Sequence, residues 1–391
     1  LLNTIPLAAL AAILLVTGFK LAKPGLFKQM WADGPQQFLP FVLTVVVIVF
    51  TDLLVGVMIG LGVATMFILW SNLRRPVQRV VEKHPSGEVL RIELANQVSF
   101  LNRAALENAM RDVPRGGHLL IDARQTDYID PDIVDLIRDF VAETGPALGV
   151  GVSCLGFKGQ YAALNTGINF EGYATRAVQR SVTPADVLEL LKVGNERFLK
   201  GAPLTRDLSH QMERTAQGQA PLAVVLSCID SRAPVEQLFD VGIGDVFTVR
   251  IAGNVTSGKV LGSIEYACKV AGAKLILVMG HTLCGAVTSA ITLKASGQTA
   301  EEATGCQHIG ALMGDIQDCV DPVPDAATLA DPVRKAAFVD QVAELNVQHT
   351  IDIIQKESAA LAALLADGSI AITGAMYDVS TGSVRFLSDE A

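Results

Sequence analysis

Leu222-Ala223-Val224-Val225-Leu226-Ser227 decides the fold, because it is apolar without alternation and stops at Cys228-Ile229-Asp230-Ser231-Arg232. A strand buried on both faces reads this way, and such strands belong to parallel sheets covered by helices. Working outward, residues 246–251, 275–279, 370–377 and 384–387 read as further strands. Between them, residues 183–199, 209–217, 258–271, 284–293 and most of 332–365 carry helical periodicity. Thr183-Pro184-Ala185-Asp186 is a helix start: a hydroxyl cap, proline at the first position and an acid in the first turn. Apolar strands alternating with helices predict an α/β domain over residues 183–391, with a mostly parallel sheet. Ligands bind such sheets beyond the carboxyl ends of the strands. Cys228 and His281 both fall there, on two different strands.

The residue types at those ends point to a metal. Cys228 follows one strand, and Gly280-His281-Thr282-Leu283-Cys284-Gly285 follows another. Zinc takes thiolate sulfur and imidazole nitrogen, and a catalytic zinc keeps one of its four positions open. Cys228, His281 and Cys284 supply three ligands, so Zn2+ is the expected cofactor. Cys284 also opens a helix, which favours its thiolate. Asp230 and Arg232 flank Ser231 in a tight turn, where the guanidinium can hold the carboxylate through two parallel hydrogen bonds. Asp230 held in that way can take a proton beside the metal. Released from Arg232, it can become a fourth ligand and close the site. Cys268 and Cys319 read as packed helix thiols, and Cys306 lies near His308 at a helix start.

The order of these motifs resembles the β-class carbonic anhydrases. The resemblance runs from about Thr183 to Leu387. It is carried by Gly194-Asn195-Glu196-Arg197-Phe198, the stretch 227–232, Arg250-Ile251-Ala252-Gly253-Asn254, Ser263-Ile264-Glu265-Tyr266, the stretch 280–285 and Gly374-Ala375-Met376-Tyr377-Asp378. Ala233-Pro234-Val235-Glu236 departs from the family's more usual Val-Pro-Pro-Glu. The resemblance implies zinc-dependent, reversible hydration of CO2 to bicarbonate, a carbonate dehydratase and so a lyase, with Asp230 and Arg232 as catalytic residues. It also implies a homodimer, because the family builds its pocket across a subunit interface. Two other readings fit the same residues. One is a hydrolase of COS or CS2 on this fold. The other is a non-catalytic, zinc-stabilised regulator with Asp230 on the metal.

The rest of the 391 residues has a different character. Half of the chain is hydrophobic, and the mean hydropathy is +0.39. The excess lies in residues 1–76. Residues 5–19 are uncharged, and residues 38–70 carry one charge, Asp52. The latter run would be about 50 Å long as one helix, against a hydrocarbon core of ~30 Å, so two passes with a turn near Thr51-Asp52 are expected. Lys20, Lys23 and Lys28 before it, and Arg74, Arg75, Arg79 and Lys83 after it, place both flanks on the cytoplasmic side. Gly56, Gly60 and Gly62 suit close helix packing. This stretch resembles the end of the SulP anion transporters, and residues 86–160, with their strand–helix alternation, resemble the STAS domain that follows it there. The resemblance implies a bicarbonate or sulfate transporter whose substrate-site helices lie outside this chain. Residues 161–182 read as a linker.

The expected architecture is therefore multidomain. Helical transmembrane segments come first, then a small α/β STAS-like domain, then the carbonic anhydrase-like domain, integral to an inner or plasma membrane with the last two parts cytoplasmic. A start at Leu1 inside an apolar segment implies the C-terminal part of something longer. The net charge of −9 argues against a nucleic-acid partner. Six cysteines in a long chain fit a reducing compartment.

Overall fold

A computed structural model describes residues 24–32, 34–74, 77–85, 87–168, 170 and 172–387, with a few positions between 8 and 16. The chain divides into two compact units. The first comprises Leu1–Gln78, Glu93–Asp112 and Gln125–Arg138; the second comprises Arg79–Ile92, Val113–Arg124 and Asp139–Ala391.

In the first unit, helices α1 (Pro24–Ala32), α2 (Pro35–Phe50) and α3 (Leu53–Arg74) follow one another. The chain breaks between α2 and α3 at Thr51-Asp52, where the sequence places a turn. Thr51 ends α2, and the Asp52 carboxylate accepts the Val55 N–H at 3.0 Å. A side chain at Gly56 or Gly60 would overlap Ile48 or Thr44, whereas none of the described residues comes within 4 Å of one at Gly62. Two of the three expected glycine contacts are therefore present. The membrane-spanning reading of residues 1–76, and the integral membrane attachment drawn from it, are corrected. Among the described residues, no helix is long and apolar enough to cross a membrane. The 16 residues of α2 make about 24 Å at 1.5 Å per residue, short of a ~30 Å core. The expected first span, residues 5–19, lies mostly outside the described residues. The unit also holds the short parallel pair β3 (Gln97–Val98) and β5 (Tyr128–Ile129), with helices α4 (Arg103–Arg111) and α5 (Pro131–Asp139).

The second unit contains two sheets. The smaller has the order β1-β2-β4-β6, from Val77–His84, Gly87–Leu94, His118–Asp122 and Gly151–Leu155. Strand β1 is absent from the sequence reading for a physical reason: its buried positions are Glu82 and His84, so its alternation is polar. Glu82 accepts hydrogen bonds from Thr205 N–H (3.2 Å), Thr205 Oγ1 (2.9 Å) and Arg91 Nη1 (3.1 Å), and faces His84 Nε2 at 3.0 Å. Burial raises its pKa, but these bonds outweigh burial and hold it at about 2. The folded-state value lies below the ordinary one, so the contribution to stability is complete above about pH 4.5 and is lost as pH falls toward 2. Glu82→Gln is expected to lower the urea midpoint at pH 7. Its stability gap to wild type should then narrow by about 1 kcal/mol per pH unit below pH 4.5. A gap that stays constant from pH 7 to pH 3 would remove Glu82 from this role.

The larger sheet has the order β11-β10-β9-β7-β8. Its strands are β7 (Ala223–Ser227), β8 (Val246–Arg250), β9 (Leu275–His281), β10 (Ala371–Tyr377) and β11 (Val384–Phe386). All neighbours are parallel except β10 and β11. The lack of alternation in β7 is explained by its two covered faces. Val224 and Leu226 join Ile276 and Val278 in one core, while Ala223 and Val225 join Leu275, Leu277 and Met279 in the other. The second face packs on α6 (Pro184–Lys200) through Val187 and Leu191. Thr183 caps α6 by accepting the Asp186 N–H, as the sequence predicts. The first face packs on α7 (Gly258–Glu265), α8 (Gly285–Ser296) and α9 (Pro332–Glu357).

Candidate metal centre

Strand register brings the site together. Ser227 lies opposite Met279, so Cys228, one residue beyond β7, stands level with the last residues of β9. His281 ends β9 and pairs with Tyr377 of β10. Thr282 and Leu283 make the turn, and Cys284 is the cap residue of α8. The ligand atoms of Cys228, His281 and Cys284 all lie within 4.8 Å of one another. The three are buried, at 4%, 1% and 1% exposure.

The chemistry of this donor set fits a soft divalent cation. His281 Nδ1 lies 2.9 Å from the Thr282 carbonyl, to which its N–H donates. Nε2 then carries a lone pair, and it is buried with no hydrogen-bond partner among the described residues. A buried polar atom without a partner is costly, and a metal removes the cost. The thiols divide in the same direction. The Cys284 thiol, His281 and the Gly253 N–H, 3.4 Å from Cys228 Sγ, hold Cys228 at about 4 against burial. The bond to Cys228, and then burial, push Cys284 upward, so the pair stabilises one negative sulfur. By contrast, burial alone pushes Cys154 and Cys268 up to about 12. Cys306 is exposed, Cys319 is half-buried, and neither belongs to the cluster. Burial lowers the His281 pKa, but the neighbouring Cys228 sulfur and the Thr282 carbonyl raise it by more.

Asp230 is on Arg232. Its Oδ1 accepts the Arg232 backbone N–H at 2.9 Å and Nε at 3.0 Å, and its Oδ2 accepts Nη2 at 2.7 Å. The same Oδ2 lies 3.9 Å from His281 Nε2, so the carboxylate faces the place where the ligand atoms converge. The Arg232 side chain holds the Asp230 carboxyl well below the usual carboxylate range.

Several supporting residues lie outside the site that the sequence reading predicts. Arg250 donates from Nε to the Cys228 carbonyl at 3.0 Å, and from Nη2 to the Asp230 carbonyl. Tyr377 donates its hydroxyl to the Arg232 carbonyl at 3.1 Å. Asn346 of α9 donates to the Gly253 carbonyl at 2.7 Å, which steadies the peptide that meets Cys228. Gly253 itself must be glycine: its φ is +72°, and a Cβ would lie 2.5 Å from Ile316 Cδ1. Arg250 and Tyr377 fall within quoted motifs, but Asn346 sits in a helix whose polar positions all look solvated.

Comparison with known proteins bears on the same region. The family profile described as carbonic anhydrase matches residues 223–384. Carbonic anhydrase 2 of Mycobacterium tuberculosis is 36% identical over 207 residues, covering 52% of this chain and 92% of that protein. A carbonic anhydrase of Mycolicibacterium smegmatis is 39% identical over 210 residues, covering 52% of this chain and 94% of that protein. Among solved structures, a β-carbonic anhydrase of Aspergillus fumigatus aligns with a TM-score of 0.39 at 23% identity, covering 52% of this chain and 89% of that one.

Proposed function

We propose, for a chain that belongs to the β-class carbonic anhydrase family and is a carbonic anhydrase, that Cys228, His281 and Cys284 hold Zn2+ and that Asp230 and Arg232 complete the site for reversible hydration of CO2. The observation that carries this reading is the unpartnered Nε2 of His281, buried between two thiols. Zinc bound there supplies a Lewis acid that makes water reactive at neutral pH. The protein's own groups do the rest. Asp230 Oδ2, 3.9 Å from His281 Nε2, faces the point where the ligand atoms converge and would accept a hydrogen bond from a water held there. Arg232 keeps that carboxylate ionised and aimed. The Gly253 N–H spreads charge off Cys228.

Asp230 held on Arg232 supports catalysis over the regulator reading, in which the carboxylate seals the metal. The parallel edge strand β8 has one side unpaired among the described residues, and Tyr266, whose ring centroid lies 6.3 Å from that of Phe247 on this strand, is 57% exposed. Both features support the homodimer. Residues 86–160 are read as a STAS-like docking module without chemistry of its own, on the strength of their strand–helix alternation. Stopped-flow CO2 hydration by the full chain, with zinc content measured on the same sample, tests the main reading. A zinc-loaded protein without CO2 hydration, or hydration without zinc, would overturn it.

A further inference from the structure

The two-residue turn between His281 and Cys284 is fixed at both ends. At one end, the Thr282 N–H donates to the Tyr377 carbonyl at 2.9 Å. The Thr282 hydroxyl accepts the Val379 N–H at 3.1 Å. At the other end, Cys284 opens α8. Leu283 is the joint between them, and its backbone is left-handed, with φ +54°. A leucine does not favour that conformation, and its side chain, 46% exposed, is not what imposes it. The restraint comes from α9. Asp340 Oδ1 accepts the Leu283 N–H at 2.9 Å. On its other side, the Leu283 carbonyl lies 3.5 Å from Arg232 Nη2. Asp340 stands beside Val339 and within a turn of Ala343, both buried in the core, so its carboxylate is anchored to a rigid helix.

We infer that Asp340 is a positioning residue for the reaction: by holding Leu283 left-handed, it sets the separation of His281 and Cys284 and the point against which Arg232 leans. It touches neither substrate nor metal. The inference rests on the metal assignment proposed above. It assigns to α9 a second duty besides its Asn346 contact with the Gly253 peptide.

The test is a mutant cycle between Asp340→Ala and Leu283→Gly, read by zinc retention against a competing chelator and by kcat/KM for CO2 hydration. In the Leu283 background, Asp340→Ala is expected to weaken zinc retention about ten- to a hundredfold, the usual cost of losing a group that orients metal ligands. In the Leu283→Gly background the same substitution should cost less than about threefold, because glycine takes the left-handed conformation unaided. Asp340→Asn keeps an oxygen acceptor and should retain zinc within about threefold of wild type; it keeps the test open if the alanine variant folds poorly. Equal losses in both backgrounds, or no loss in either, would overturn the inference. A wild-type protein that retains no zinc would instead overturn the metal assignment.

Discussion

Cys228→Ser is expected to yield a folded protein that no longer keeps zinc through dialysis, with CO2 hydration reduced by about a thousandfold or more. Metal activation supplies several kcal/mol of transition-state stabilisation, and each 1.36 kcal/mol is about tenfold in rate. A serine hydroxyl stays protonated where the thiolate was charged, so the donor set keeps one anionic sulfur in place of two. The substitution is nearly isosteric, and the Gly253 N–H that meets Cys228 Sγ at 3.4 Å can meet a hydroxyl oxygen. The loss should therefore appear in metal content before it appears in the urea midpoint. Cys268→Ser is the matched control. That thiol is equally buried but lies outside the cluster, and burial alone keeps it protonated. It should hold zinc as wild type does. Stoichiometric zinc and full activity in Cys228→Ser would remove this cysteine from the metal centre.

The parts of this site legible in the sequence are those fixed by local chemistry. An apolar run that ends at a cysteine declares a buried strand and the edge where ligands gather. His281 and Cys284 are three residues apart across a strand-to-helix turn, so one ion can serve both. What was not legible depends on distant contacts. Asp340 and Asn346 sit on a 26-residue helix, where a polar residue aimed at a turn looks like one aimed at water. Only the packing of α9 on β9 and β10 brings them to Leu283 and Gly253. The failure over β1 has the opposite cause. There the strand is real, but its inward positions are Glu82 and His84, and a hydrophobic period cannot report a strand whose buried side chains are polar. The failure over residues 1–76 is of another kind: composition and flanking charge favour a membrane reading and the turn at Thr51-Asp52 is where that reading places it, but among the described residues no helix is long and apolar enough to cross a membrane.

Asp230→Asn is expected to lower kcat/KM for CO2 hydration about a hundred- to a thousandfold while zinc content stays at the wild-type level. An amide matches the carboxylate in shape but is uncharged and can turn its NH2 toward the site, and a group positioned on the transferring proton is worth about 10²–10⁴ in rate. Arg232→Ala separates charge from position. Removing the guanidinium lets the Asp230 pKa rise toward the ordinary carboxylate value of about 3.9, which still leaves it ionised at pH 7. A loss of activity at pH 7 in Arg232→Ala therefore cannot come from protonation and must come from misplacement. Oδ2 is already 3.9 Å from His281 Nε2, so the freed carboxylate would need only a short swing to become a fourth ligand to zinc held by Cys228, His281 and Cys284. X-ray absorption should then report one more oxygen ligand that resists exchange in Arg232→Ala and none in Asp230→Asn. The double variant Asp230→Asn/Arg232→Ala has no carboxylate to swing, so the extra ligand should vanish while the rate stays low. If Arg232→Ala keeps wild-type activity at pH 7, the two hydrogen bonds from the guanidinium to Asp230 hold nothing that the reaction needs, and Asp230 is oriented by the Arg232 backbone N–H and by the Arg250 and Tyr377 contacts to its turn instead.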